Sequence, residues 1–250
     1  MCYLDIKYPD RTNPCDQDEE FIHLCTRSGK EKIRIHDYDR FYTVPGLYEE
    51  VVYNKLECDS PRVITDLLKE EIKKNGAENH GSLRVLDFGA GNGIVGEHLK
   101  DSLDCQTVVG VDIIEEARQA AKRDRPDLYD DYYVMDLSSP TKADEKSISK
   151  WQFNALVTVA ALGFGDIPTQ AFINAYNMVD EGSWVAFNIR DKFLKEDDDT
   201  GYAETIHKMV SESLNVYRQH HYCHRLSMSG EPIHYYAIIG RKETAFSPAV

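Results

Sequence analysis

The chain of 250 residues carries 43 acidic against 29 basic side chains, a formal net charge of −14, with 42% hydrophobic and 10% aromatic residues. This is the composition of one globular domain, or one with an elaborated end, and it excludes wholesale disorder. A polyanion is bound by clustered Lys and Arg, so the acidic balance argues against a nucleic-acid partner.

The opening stretch, "MCYLDIKYPDRTNPCDQDEE", lacks the charged-then-apolar pattern of a signal sequence. No apolar run approaches the ~18 residues of a membrane span, so no membrane partner is expected. The six cysteines (Cys2, Cys15, Cys25, Cys58, Cys105, Cys223) form no C-x-x-C pair. Reduced thiols and a cytoplasmic location are expected. The acidic runs at 15–20 and 195–200 read as solvated surface. Residues 1–59 hold few aliphatic and many tyrosine residues, with Tyr38, Phe41, Tyr42, Tyr48 and Tyr53 crowded around a Pro45-Gly46 break. A short helix is expected from Leu47. The segment is taken as a cap or lid over the ligand edge of a domain spanning 60–250.

From residue 60 the chain alternates helix-like and strand-like segments. "SPRVITDLLKEEIKKNG" opens with Ser60 as an N-cap and Pro61 at the first helical position. Val63, Ile64, Leu67, Leu68 and Ile72 lie on one face, and Gly76 ends it. Continuous apolar runs follow: "LRVLD" (83–87), "TVVGVD" (107–112), "YYVMD" (132–136), "FNALVTV" (153–159) and "WVAFNI" (184–189). Amphipathic stretches separate them, "GIVGEHLKDSL", "IEEARQAAKRD" and "PTQAFINAYNMV". Such alternation predicts an α/β fold with a doubly wound parallel sheet. "VYRQHHYCHRL" and "IHYYAIIGRK", separated only by "SMSGEP", predict an antiparallel pair closing a mostly parallel, seven-stranded sheet.

The stretch "RVLDFGAGNGIVGEHL" can be read in two registers. Gly91, Gly93 and Gly96 spell the dinucleotide pattern G-x-G-x-x-G, and Gly89, Gly91 and Gly93 spell G-x-G-x-G behind Asp87. A carboxylate at position 87 would repel a pyrophosphate laid on this turn, whereas a ligand ammonium would pair with it. S-adenosylmethionine has that ammonium, a sulfonium and no phosphate. Asp112 ends the next strand, where its carboxylate can accept from ribose hydroxyls. Asp136 ends the third and can accept from an adenine amino group, with Met135, Leu137 and Ile113 against the ring.

"VLDFGAGNG", "VGVD", "VMDL", "FNALVTVAAL" and "VDEGSWVAF", in this order over roughly residues 60–241, resemble the motif series of class I S-adenosylmethionine-dependent methyltransferases. "VTVAALGFGDIP" also resembles the Williams–Beuren-region methyltransferase-like group. The resemblance implies that Asp87 and the loop Gly89, Ala90, Gly91 and Gly93 hold the methionine part, with the ribose at Asp112. Met135, Asp136 and Leu137 would take the adenine, with Ala160 and Ala161 beside the reactive methyl group. The turn "DEGSW" departs from the family's more usual Pro-Gly-Gly but keeps Gly182.

The stretch "AALGFGD" lacks the Asn/Asp-Pro-Pro-aromatic box and the Pro-Cys nucleophile of nucleic-acid methylating enzymes. A small-molecule acceptor at O, N or C, or a protein side chain, is therefore expected. Asp166 and His234 are candidate bases, although Asp166 could instead cap the helix opened by Pro168. Tyr42, Tyr48, Tyr53 and Arg190 are candidate substrate contacts. His220, His221, Cys223 and His224 fall two to each face of a strand, too few on either for a zinc site. Two alternatives stay open: a nicotinamide-dependent oxidoreductase reading Gly91, Gly93 and Gly96, and a non-catalytic cofactor-binding module.

Overall fold

The apolar runs read from the sequence lie side by side in the computed structural model, which describes residues 4–10, 16–27, 29–75, 82–195 and 197–247. The chain begins with three short strands, β1 (Asp5–Lys7), β2 (Phe21–Thr26) and β3 (Gly29–Arg34), paired antiparallel in that order. This sheet is absent from the sequence reading, which took its texture from the tyrosines. Its cause is an alternation in which Ile22 and Ile33 are direct partners and Leu24 follows on the same buried face. Helix α1 (Tyr38–Thr43) and a π-helix (Glu49–Lys55), helical from Leu47 as expected, complete the segment. Ile22, Leu24, Ile33, Phe41, Leu47 and Val51 form one buried cluster that also takes in Met228.

Helix α2 (Ser60–Asn75) begins one residue earlier than expected, since the Asp59 carbonyl accepts the Val63 N–H. Ser60 is therefore no N-cap; its hydroxyl meets Tyr222 and His224 in a buried network instead. The proposed stop at Gly76 lies outside the described residues. There follow β4 (Leu83–Phe88), α3 (Ile94–Ser102), β5 (Cys105–Asp112), α4 (Glu115–Asp124), β6 (Asp131–Val134), α5 (Lys142–Ser149), β7 (Ala155–Thr158), α6 (Thr169–Asn177), β8 (Trp184–Arg190), α7 (Tyr202–Glu212), β9 (Leu214–Leu226) and β10 (Pro232–Lys242). Helices α5 and α7 are additional to the sequence reading. The first opens with a capping box, Thr141 and Asp144 satisfying each other's backbone N–H.

The seven strands order as β6-β5-β4-β7-β8-β10-β9, and only β10 runs against the others. Pleating divides the core in two. Leu86, Val109, Leu156 and Phe187 face Phe172 and Tyr176 of α6 and Ile206 of α7. Val85, Val108, Val157 and Ala186 face Ile64 and Leu68 of α2 and Leu99 of α3. With helices on both faces, ligands bind beyond the carboxyl ends of the strands, where the loops after β4, β5, β6 and β7 converge.

Strand β6 stops at Val134, so Asp136 does not end a strand. Its Oδ1 accepts the Ser138 N–H at 2.8 Å, which turns the chain away. Nor does Asp166 cap α6: Pro168 holds the N-cap position and no side chain caps it.

Candidate active site

The loop after β4 is shaped by backbone that side chains disfavour. Gly89, Gly91 and Gly93 take φ of +72°, +53° and +92°, in the left-handed region. A Cβ at Gly91 would stand 2.5 Å from the Tyr42 hydroxyl. Gly96 differs, being inside α3, where its missing side chain makes room for Tyr129. Both registers of the glycine pattern are thus used. The positive φ values belong to the G-x-G-x-G set.

Beneath this loop Asp87 is wholly buried. The Tyr129 hydroxyl donates to its Oδ2 at 2.7 Å, while Oδ1 has no hydrogen-bond partner among the described residues. Burial pushes the Asp87 carboxyl up to about 7, against the opposing pull of Tyr129 and with a further push from Asp112. A buried acceptor left open under a glycine cradle suits a ligand with a positively charged donor.

Asp112 closes β5 and accepts from three backbone groups: Gly91 N–H at 2.9 Å on Oδ2, and Ile113 N–H at 2.8 Å and Ile114 N–H at 3.2 Å on Oδ1. Burial raises its carboxyl pKa, and these bonds counter the rise. Oδ2, with one bond, keeps a further lone pair, so a hydroxyl donor can add to the set. Tyr132 completes the support by donating to the Gly91 carbonyl at 2.8 Å.

A cavity of about 270 Å³ opens along these strand ends. Of the residues singled out from the sequence, Gly89, Asp112, Ile113, Met135, Asp136, Leu137, Ala160, Ala161, Asp166, Tyr42 and Tyr48 line it. Ile113 is 57% exposed, a high value for an isoleucine and one that a planar apolar ligand would lower. Asp136 remains a ready acceptor, because its bonds to Ser138 hold its carboxyl below the usual range. Asp87 is not in the cavity wall; it lies behind the loop.

Ala160 takes φ +56°, a left-handed conformation that is rare for alanine and one form of strain stored at functional sites. Its N–H donates to Asn188 Oδ1 at 2.6 Å, and Asn188 Nδ2 in turn donates to the Tyr222 hydroxyl at 2.8 Å and Ser60 Oγ at 3.1 Å. The buried network that took Ser60 from its expected capping role therefore fixes the loop after β7.

The structure places several of the candidates away from the cavity wall. Tyr53 stands outside the cavity, its ring edge-on to Tyr48. His234 lies on β10, stacked on His221, and reaches no cavity wall. Arg190 lies over the Phe164 ring and 3.7 Å from Asp16, also off the wall. His224 is buried with its Nδ1 2.6 Å from Ser60 Oγ, while the His220 ring stacks on Tyr222. Conversely, the wall contains residues that the sequence reading did not single out for the site, among them His36, Tyr38 and Asp39. His36 Nδ1 is 2.8 Å from Asp166 Oδ2. The signal available was the alternation of Ile33 and Ile35, which marks a strand whose exit delivers residue 36.

The cap is tied to this edge at several points. Glu49 Oε1 accepts from Asn92 Nδ2 at 2.7 Å and Arg125 Nη1 at 3.0 Å, joining the π-helix to the glycine loop. Arg123 donates to the Tyr42 carbonyl at 2.9 Å, and Ala117 and Ala120 of α4 leave room for the Tyr42 ring. Arg225 and Glu20 form a buried ion pair at 2.7 Å.

A family model described as a methyltransferase domain matches residues 61–230. A curated relative, the mitochondrial ubiquinone biosynthesis O-methyltransferase of Candida albicans, is 24% identical over 169 residues, covering 66% of this chain. The match spans 48% of that protein, so this chain covers about half the length of its curated relative. The N-methyltransferase NodS from Bradyrhizobium japonicum WM9, solved with S-adenosyl-L-homocysteine, shares the fold at a TM-score of 0.55 and 15% identity, over 84% of this chain and 98% of its own. An S-adenosylmethionine-dependent methyltransferase from Clostridium acetobutylicum does so at 0.53 and 14%, over 83% and 99%. With its sheet order, its glycine loop and a family match over most of its length, the chain belongs to the methyltransferase domain family.

Proposed function

We propose that the chain methylates a small-molecule acceptor at an O, N or C atom, in the cavity between the N-terminal segment and the strand ends. The observation that carries this is the buried, unpartnered Asp87 Oδ1 beneath the three-glycine loop, with Asp112 and Asp136 along the same edge. In this reading Asp87 meets the cofactor's ammonium, and Gly89, Ala90, Gly91 and Gly93 lie along its methionine part. Asp112 accepts from the ribose, and Ile113, Met135, Asp136 and Leu137 enclose the adenine. Ala160 and Ala161 stand beside the methyl group. When bound, S-adenosylmethionine supplies an activated methyl group on a good leaving group.

The chain's own part is positioning and the exclusion of water. Residues 1–59 act as the cap and 60–250 as the cofactor-binding domain. Tyr42 and Tyr48 close the cavity, and burial raises both phenol pKa values, so they remain neutral donors. A curated relative that methylates oxygen in ubiquinone biosynthesis supports a small acceptor. The nicotinamide alternative gains nothing from the family match, and it sets a pyrophosphate above the Asp87 carboxylate.

Calorimetric titration with S-adenosylmethionine and S-adenosylhomocysteine, with NADH as control, tests the reading. Micromolar binding of the first two is expected, and binding of NADH alone would sink it.

A further inference from the structure

We infer that His36 is the general base of the reaction and Asp166 its positioning partner, which makes the acceptor group a hydroxyl. The inference rests on the cofactor reading above for the place of the methyl group, beside Ala160 and Ala161. Neither residue sits near the other in sequence. They meet because β3 ends at Arg34 and delivers His36 to the loop after β7.

A carboxylate only accepts, so the 2.8 Å contact between Asp166 Oδ2 and His36 Nδ1 requires the proton on Nδ1. In the neutral ring, Nε2 then carries a lone pair, and no hydrogen bond within the described residues engages it. The ring is wedged between Tyr38, at 5.5 Å, and Phe164, at 5.2 Å between centroids, with its side chain only 10% exposed. The imidazole is sheltered, while the Asp166 side chain keeps 29% of its surface exposed. His36 and Asp166 line the main cavity and also an adjoining recess of about 30 Å³, room for about one water-sized group, which Ala160 and Ala161 also border. A base, its orienting carboxylate and the methyl position therefore share one small space.

The chemistry that needs this arrangement is methylation of oxygen. A neutral amine can attack through its lone pair and shed its proton later, whereas a hydroxyl is a weak nucleophile until its proton leaves. In the step, the acceptor O–H bond breaks and the proton passes to His36 Nε2. The acceptor oxygen forms the new O–C bond. The S–C bond breaks with its electron pair left on sulfur, which departs as the neutral thioether. Asp166 stabilises the imidazolium that results.

Other charged and titratable groups surround the ring. Asp37 and Tyr38 lie on its own segment, with Asp39 and Tyr48 elsewhere in the cap. Across the recess stand Cys58, Tyr235, His224 and Arg225, the last already paired with Glu20. Among the described residues, Asp166 is the carboxylate hydrogen-bonded to the imidazole.

The test combines three measurements on the full chain. Nitrogen-15 NMR of histidine-labelled protein saturated with S-adenosylhomocysteine reads the His36 tautomer, assigned by loss of its signal in His36→Gln. Protonation on Nδ1 is expected, with the tautomer balance moving toward Nε2 in Asp166→Asn. A proton on Nε2 in the wild type, or a tautomer balance unmoved by Asp166→Asn, overturns the inference. Calorimetry of His36→Gln should give an S-adenosylhomocysteine affinity within about threefold of the wild type. Loss of binding in that variant alone makes His36 a binding residue and removes the base, whereas loss in both removes the cofactor reading and the base with it.

Labelled S-adenosylmethionine offered with a panel of phenols, catechols and hydroxy acids should give label transfer that His36→Gln slows by at least ~100-fold, the usual weight of a general base. An undiminished rate, or no label on any hydroxyl while the cofactor analogue binds, overturns the assignment.

Discussion

Replacing Asp87 by asparagine should move stability and cofactor affinity in opposite directions. The buried carboxyl is pushed up to about 7 from an ordinary 3.8, chiefly because it has left water, with one oxygen bonded to Tyr129 and the other to nothing. Between these two values the unfolded chain is ionised while the folded one holds its proton. Stability from this group is therefore fully present below pH 3.8 and is lost as pH rises to about 7. At 1.36 kcal/mol per pH unit, the loss reaches about 4 kcal/mol above pH 7 as an upper bound, and about 3 kcal/mol of it falls between pH 5 and pH 8.

Asn has no charge to desolvate, so Asp87→Asn should gain on the wild type by that increment across the same interval. Titrations elsewhere in the chain cancel in the comparison. Urea unfolding of both proteins at pH 5, 6, 7 and 8 reads the difference directly. Affinity for S-adenosylmethionine should fall by about 1.5–3 kcal/mol, the scale of one charged hydrogen bond. In the wild type it should weaken as pH drops below about 7, where Asp87 takes up its proton. A stability difference flat in pH would show that the carboxylate is not strained. An unchanged affinity would show that it does not face the ligand.

Two further perturbations probe how the site is held. Gly91→Ala places a Cβ 2.5 Å from the Tyr42 hydroxyl at φ +53°, so a loss of about 1–3 kcal/mol in stability and a weaker hold on the cofactor are expected. Adding Tyr42→Phe removes the atom in the way and should return part of the loss in a double-mutant cycle; strict additivity would refute the contact. Arg225→Met strands the buried Glu20 carboxylate and should cost about 3–5 kcal/mol in thermal unfolding. Exchanging both partners, Glu20→Leu with Arg225→Met, should recover most of that, and a double variant as unstable as the single one would show that the pair is not the cause.

The parts legible in the sequence were those whose physics is local. Continuous apolar runs gave the parallel strands within one or two residues at most ends, because burial on both faces leaves that composition no other use. The glycine loop and Asp112 were legible because a tight turn at a strand end needs those residue types wherever it occurs. Asp136 lines the cavity but does not end a strand, since a side-chain bond to Ser138 decides where the chain turns. Ser60 misled for a related reason: serine before proline favours a cap, and tertiary partners on β8 and β9 outbid it.

The acceptor side of the cavity was illegible because its logic is not local. His36 and Asp166 are 130 residues apart, and neither has a neighbour in sequence that marks it for chemistry. Taken singly, His36 reads as a loop residue, and Asp166 reads as a candidate base or a helix cap with nothing local to decide between them. Only the three-stranded cap sheet brings them together, and that sheet rests on Ile22, Leu24 and Ile33, which touch no ligand. The cofactor half of such a site can thus be read off strand ends. The half lined by the N-terminal segment depends on how that segment docks, through Glu20 to Arg225 and Glu49 to Asn92. A substitution at these docking points should therefore act on acceptor turnover before it acts on cofactor affinity, because the cofactor edge keeps its own supports in Tyr129, Tyr132 and Asn188.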